Sequence, residues 1–126
     1  IWFVQVVHYP LFARVGTNHF PNYARHHMRQ TTHVVAPLMI TELACAVIAI
    51  FLAPASMMPI ATLGLLLVLV IWLSTFTLQV PCHSRLLRAF DKTTQEELTR
   101  TNWTRTILWT VRSIIVTWML LVLQIG

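Results

Sequence analysis

The sequence predicts an all-α integral membrane protein, a four-helix bundle with a short interfacial helix in each of its two cytoplasmic loops. Of its 126 residues, 56% are hydrophobic and only 10% are charged, whereas soluble domains carry about 25% charged residues. Such a chain has too little polar surface to cover a soluble core, so lipid is the expected solvent of its outer face. We expect a single transmembrane domain over residues 1–126.

Three segments are long enough to cross the hydrocarbon core of a bilayer. Residues 34–53, 60–80 and 106–125 are almost entirely apolar, and about 20 residues at 1.5 Å each reach roughly 30 Å. A fourth segment, residues 1–13, reaches only about 20 Å. We therefore interpret residues 1–13 as the end of a first span that begins upstream.

The connections between these spans differ in charge. Residues 54–59 hold two prolines and no charge, which predicts a tight turn between antiparallel neighbours. The chain has nine Lys and Arg residues, and one of them, Arg112, lies just inside the last span. The other eight lie in the other two connections: Arg14, Arg25, Arg29, Arg85, Arg88, Lys92, Arg100 and Arg105. The positive-inside rule predicts that both basic connections are cytoplasmic and that both termini face the opposite side. The net charge of +5 then favours anionic lipid over nucleic acid as the partner.

Each basic connection also carries a helical pattern. Apolar and aromatic residues recur at helical spacing over residues 20–27, as in segments that lie among lipid headgroups. Thr94 followed by Glu97 is a capping-box pattern, and Thr93 with Glu96 is an alternative one residue earlier. A helix that begins there could continue into the last span.

Glu42 and Arg112 are the charged residues placed within the predicted spans. Glu42 lies roughly 12 Å and Arg112 roughly 9 Å from the cytoplasmic ends of their helices, and an ionised side chain at this depth costs several kcal/mol without a partner or water. We therefore predict that they share one polar cavity. The pair could be a structural ion pair or an anchor for a substrate or cofactor.

Histidines gather near the same interface. His8 and His83 lie at the cytoplasmic ends of the first and third spans, with Gln79 one turn from His83. Imidazoles are suitable ligands for metals and haem, and the candidate metal ligands are His26, His27 and His33. A haem or metal cofactor is one hypothesis. The alternative is that these histidines hydrogen-bond lipid headgroups or neighbouring loops.

The C-terminal half resembles a known family. Residues 79–86 (QVPCHSRL), residues 102–106 (NWTRT) and Arg112 resemble the anthrone-oxygenase-like family of small four-helix membrane proteins. In that family a Val-Pro-x-Asn-x-x-Leu element ends the third helix, and His83 stands here in place of the Asn. The resemblance implies oxidation of a hydrophobic aromatic or quinol-like substrate, and by motif position it carries over His83, Asn102, Trp103 and Arg112.

Two functions follow from these patterns. The first is a membrane oxidoreductase or oxygenase with catalytic His83, Arg112 and Glu42, and with His8, Gln79, Asn102 and Trp103 as substrate-binding residues. Arg112 would hold an oxygen that becomes anionic, while Glu42 or a histidine takes the proton. The second is an accessory, non-catalytic subunit of a respiratory or photosynthetic membrane complex that contacts haem, pigment or lipid.

Overall fold

Four helical segments form the protein, for which a computed structural model describes residues 1–125. The first, α1, is a π turn Val4–His8 followed by Tyr9–Leu11 and a 3-10 turn Phe12–Arg14. The second, α2, is a continuous helix over Phe20–Leu52. The third, α3, covers Ala55–Leu86 and contains a π turn at Thr75–Gln79. The fourth, α4, extends over Lys92–Ile125.

The helices α2, α3 and α4 are each long and apolar enough to cross a membrane. This confirms the predicted all-helical, membrane-type architecture. Within the described residues α1 is too short to span by itself, as residues 1–13 predicted. At 33 residues, α2 is about 50 Å long and exceeds the roughly 30 Å hydrocarbon core, so part of this helix must lie beyond that core.

The predicted interfacial helices are not separate elements. Residues 20–27 are the first turns of α2, and residues 92–105 are the first turns of α4. No Gly or Pro separates either segment from the span that follows, and α2 continues even through Pro37 within the span. Hydropathy marks only where a helix becomes apolar, and these helices begin several turns earlier.

Asp91 caps the first turn of α4. Its carboxylate accepts a hydrogen bond of 2.8 Å from the backbone N–H of Thr94, the geometry of an N-cap residue bonding N3. Both predicted capping boxes are therefore wrong, because the cap is Asp91, two residues before Thr93 and three before Thr94. The two glutamates of those boxes form ion pairs instead, Glu97 with Arg85 and Glu96 with Lys92.

Both π turns precede a proline and hold a buried amide. Pro10 follows Val4–His8, and Pro81 follows Thr75–Gln79. Proline lacks an N–H and its ring clashes with the carbonyl four residues earlier, so a locally widened turn relieves the conflict. The side chains of Gln5 and Gln79 lie in these turns and are each only 2% exposed.

The apolar core lies at the end of the bundle where the two basic connections meet. Its buried members are Tyr9, Phe12, Phe20, Ala24, Cys82, Leu86 and Leu98. The ring centroids of Phe20, at the start of α2, and Phe90, between α3 and α4, lie 4.9 Å apart. The two basic connections therefore share one end of the molecule, and the tight turn after Leu52 joins α2 and α3 at the other end.

The Asp91 cap makes a testable contribution to stability. Its hydrogen bonds to Thr94 lower the pKa of the exposed carboxyl, so the stabilisation is present above the unfolded value near pH 4 and is lost as pH falls through the folded pKa. Asp91→Asn keeps a capping oxygen without the charge. We expect this variant to show a smaller drop in unfolding temperature than the parent chain between about pH 6 and about pH 3, as measured by circular dichroism in detergent. Identical pH profiles would contradict the assignment.

Candidate functional site

One face of α4 carries polar residues that are buried. Gln95, Asn102, Arg105, Thr106 and Arg112 recur at spacings of three, four and seven residues, which places them on one side of a helix. Each is at most 7% exposed. Polar groups removed from water must be satisfied within the protein, so the partners of this face define the interior of the bundle.

The segment α1 provides the first set of partners. The Gln5 side chain accepts a hydrogen bond from Asn102 Nδ2 at 2.9 Å and donates one to the Thr99 carbonyl at 3.0 Å. Gln95 Nε2 donates to the Tyr9 carbonyl at 3.0 Å. These bonds clamp α1 in antiparallel orientation along the first half of α4.

Three histidines and a tyrosine form a cluster next to this clamp, which we call the His–Tyr cluster (His8, Tyr9, His27 and His83). His8 Nε2 and His27 Nδ1 share a hydrogen bond of 3.0 Å, and the Tyr9 hydroxyl and His83 Nε2 share one of 3.1 Å. The rings of His27 and His83 lie 5.9 Å apart between centroids. Three different helical segments thus bring four titratable groups into contact.

Aromatic residues border the His–Tyr cluster. The Phe12 ring lies edge-on to His27 with a centroid separation of 5.2 Å, and Tyr23 stacks on His27 at 6.1 Å. Phe12 is only 1% exposed. The imidazole of His27 is therefore packed between two aromatic side chains.

Arg105 lies between the clamp and the His–Tyr cluster. Its Nη1 donates to Asn102 Oδ1 at 3.1 Å, and its guanidinium faces the Tyr9 hydroxyl. On the same face of α4, Thr101 accepts a hydrogen bond of 3.0 Å from Gln79 Nε2. Gln79 therefore approaches α4 one turn before Arg105.

The predicted contact between Glu42 and Arg112 is confirmed. Arg112 Nη2 lies 3.0 Å from Glu42 Oε1, with side-chain exposures of 7% and 31%. Gly64 of α3 makes room for the guanidinium, since a Cβ added there would lie 2.6 Å from Arg112 Nη1. The ion pair therefore ties α2 and α4 across α3.

The sequence predicted one activity for the catalytic and substrate-binding residues, but their polar groups lie in two layers. Glu42 follows His27 by 15 positions, or about 22 Å along α2. Arg112 likewise lies about 10 Å beyond Arg105 along α4. Of the predicted site residues, His8, Gln79, His83 and Asn102 gather in the layer of the His–Tyr cluster, and Glu42 with Arg112 forms the other.

The predicted metal ligands His26, His27 and His33 do not come together. Over residues 1–125 no group of three or more His, Cys, Asp or Glu side chains could hold a metal ion. Only His27 turns inwards, because consecutive helical residues point in directions about 100° apart. His26 is exposed, and His33 bonds back to the Arg29 carbonyl at 2.7 Å.

Trp103 also lies outside the cluster. It is 42% exposed and packs edge-to-face on Trp2 with ring centroids 5.6 Å apart.

Sequence reasoning missed Gln5, Tyr9, Gln95 and Arg105. The signal for the last two was present, since Gln95 with Asn102 and Arg105 with Arg112 repeat at seven-residue spacing.

The chain matches no family model, no curated protein and no solved structure. The resemblance to the anthrone-oxygenase-like family therefore stays a prediction from short motifs in residues 79–112. The function has to be inferred from the geometry of the site.

Gly64 provides a test of the Glu42–Arg112 layer. We expect Gly64→Ala to displace the Arg112 guanidinium and to lower the free energy of unfolding by about 1–3 kcal/mol, the usual cost of overpacking. Gly16→Ala is the matched control, because no atom lies within 4 Å of a Cβ at Gly16, and it should change stability by less than about 0.5 kcal/mol. Denaturant titration in detergent measures the free energy of unfolding of both variants and of the parent chain. Equal effects of the two substitutions would show that Arg112 has no fixed position against α3.

Proposed function

We propose that the protein is a multi-pass membrane oxidoreductase or oxygenase that acts on a hydrophobic aromatic or quinol-like substrate. Residues 1–13 would provide the fourth helix of the bundle, with the basic connections in the cytoplasm. The observation that carries the proposal is the His–Tyr cluster. Its hydrogen-bonded, titratable side chains meet beside aromatic rings at one end of the bundle.

The proposed chemistry begins with removal of a proton from the substrate. His83 is the proposed base, and its hydrogen bond to Tyr9 orients the imidazole. With dioxygen as the oxidant, an aromatic methylene is converted to a carbonyl. The carbon takes one oxygen atom, and its two hydrogens leave with the other oxygen atom as water.

The Glu42–Arg112 pair has a supporting role in this proposal. Because Glu42 neutralises Arg112 at 3.0 Å, this guanidinium, about 10 Å beyond Arg105 along α4, is poorly available to a substrate anion at the His–Tyr cluster. Breaking a buried ion pair by removing one partner is costly, about 3–5 kcal/mol in fully buried cases. We therefore assign the pair to holding α2, α3 and α4 in register.

Substitutions in the His–Tyr cluster test the activity. Purified protein in liposomes should oxidise anthrones and quinols in an air-saturated buffer. His83→Gln should lower the rate of oxidation by about 10²-fold because the general base is lost. Tyr9→Phe should reduce it less, since the imidazole loses only its orienting bond. His19→Gln is the control, because His19 is exposed and lies outside the cluster. Equal turnover in all three variants would refute the catalytic assignment.

Cysteine labelling tests the proposed orientation. Asn18 and Ala89 are exposed in the two basic connections, so Asn18→Cys and Ala89→Cys should both react with a membrane-impermeant maleimide applied from the cytoplasmic side only. The parent chain, with its own Cys45 and Cys82, gives the background. Reaction of the two positions from opposite sides would contradict the shared cytoplasmic location.

A non-catalytic subunit is the second candidate. The outer half of α4 carries a shallow groove lined by Ser113, Ile114, Thr117, Trp118 and Leu121, and Trp118 is 49% exposed. A membrane partner that packed there would bury these side chains. Co-purification of a stoichiometric membrane partner in mild detergent, together with no turnover of any substrate tested, would favour this candidate over the enzyme.

A further inference from the structure

Arg105 is a buried cation whose charge is not balanced by a carboxylate. All four acidic residues of the chain are engaged elsewhere: Glu42 with Arg112, Glu97 with Arg85, Glu96 with Lys92, and Asp91 as the cap of α4. Arg105 is only 7% exposed. A buried ion without a counter-charge costs several kcal/mol, so this position is the natural place for an anion to bind.

The hydrogen bonds around Arg105 are also incomplete. Its Nη1 donates to Asn102, whereas its buried Nε has no acceptor among the described residues. The buried Gln79 Oε1 likewise has no donor within residues 1–125. Thr101, which bonds the Gln79 amide, and Arg105 are four residues apart and so share one face of α4. An unused donor and an unused acceptor therefore lie about one turn apart.

We propose that Arg105 and Gln79 bind the oxygens of a lipid-soluble phenol or enol that loses its proton on binding. The oxyanion lies against Arg105, and a second hydroxyl on the ligand donates to Gln79 Oε1. This inference rests on the proposed function and names its substrate class, an acidic hydroxyaromatic compound. Such a molecule crosses lipid in its neutral form, whereas a phosphate ester stays charged.

The proton released on binding leaves the site. The ligand O–H bond breaks, the oxygen keeps the electron pair, and the proton passes to bulk water, with the imidazole of His83, which the Tyr9 hydroxyl contacts at 3.1 Å, as a neighbouring relay that ends neutral. The titratable groups that face Arg105 are Tyr9 from α1 and His83 from α3, with Cys82 next to Tyr9. Since none of them is a carboxylate, the ligand anion supplies the missing negative charge.

A hydroxyanthraquinone dye whose colour changes on loss of its phenolic proton tests this site directly. The dye is added to the purified full-length protein in liposomes and titrated with pH while its absorption spectrum is recorded. We expect its pKa to be about 1–3 lower on the parent protein than in protein-free liposomes, as for an acid beside a guanidinium. Arg105→Gln should abolish this difference and weaken binding about tenfold or more, while Arg105→Lys should retain part of it.

The controls separate a binding site from general surface charge and from misfolding. Arg88→Gln removes an exposed cation at the end of α3 and should leave the dye titration unchanged. Gln79→Leu should weaken binding while leaving the lowered dye pKa largely in place. If Arg105→Gln folds, judged by its circular dichroism spectrum and elution volume, and still lowers the dye pKa as the parent does, the inference is wrong. An equal loss in Arg88→Gln would also overturn it.

The same experiment distinguishes this inference from the proposed function. A lowered dye pKa that depends on Arg105 establishes the anion site even if no substrate is oxidised, in which case only the enzymatic proposal fails. Turnover that depends on His83, with a dye titration insensitive to Arg105, would sustain the enzyme and overturn the anion site.

Discussion

The structure depends on satisfying one buried polar face of α4 in a protein that has little other polar surface. Asn102 and Arg112, both at most 6% exposed, cannot obtain hydrogen bonds from lipid. Each neighbouring segment therefore contributes a complementary group at a fixed height: Gln5 from α1, Gln79 from α3 and Glu42 from α2. These contacts fix the rotation of the helices, which apolar packing alone would leave weakly specified.

Proline placement makes two of these contacts compatible with helical backbone. A regular helix through Pro10 or Pro81 would force the proline ring against the carbonyl four residues earlier. The π turns at Val4–His8 and Thr75–Gln79 absorb that conflict, and the buried amides of Gln5 and Gln79 lie inside them. The irregular backbone and the polar contacts therefore occur at the same two places, as π turns often do near functional sites.

Contacts that follow from the free-energy cost of placing a charge in lipid could be predicted from the sequence. The direction in which each side chain points around its helix could not. The contact between Glu42 and Arg112 was predictable because an ionised side chain at that depth is costly unless it has an opposite charge or water beside it. The sequence could not predict that His27 and not His26 points inwards. The two side chains are about 100° apart around the helix, so a small error in helix rotation exchanges their places. The N-cap of α4, Asp91, was missed because several residues in that connection are acceptable N-caps.

Arg105 and Arg112 lie seven residues apart on the same face of α4, yet their surroundings differ. Arg112 has a carboxylate at 3.0 Å and a glycine that makes room for it, so its charge is cancelled within the protein and its position is fixed. Arg105 has an amide and a phenol as partners, both of which are neutral in their ordinary forms. A charge already cancelled can hold helices together, but it attracts a ligand weakly. The uncancelled charge beside the His–Tyr cluster is therefore the stronger reason to locate ligand chemistry there.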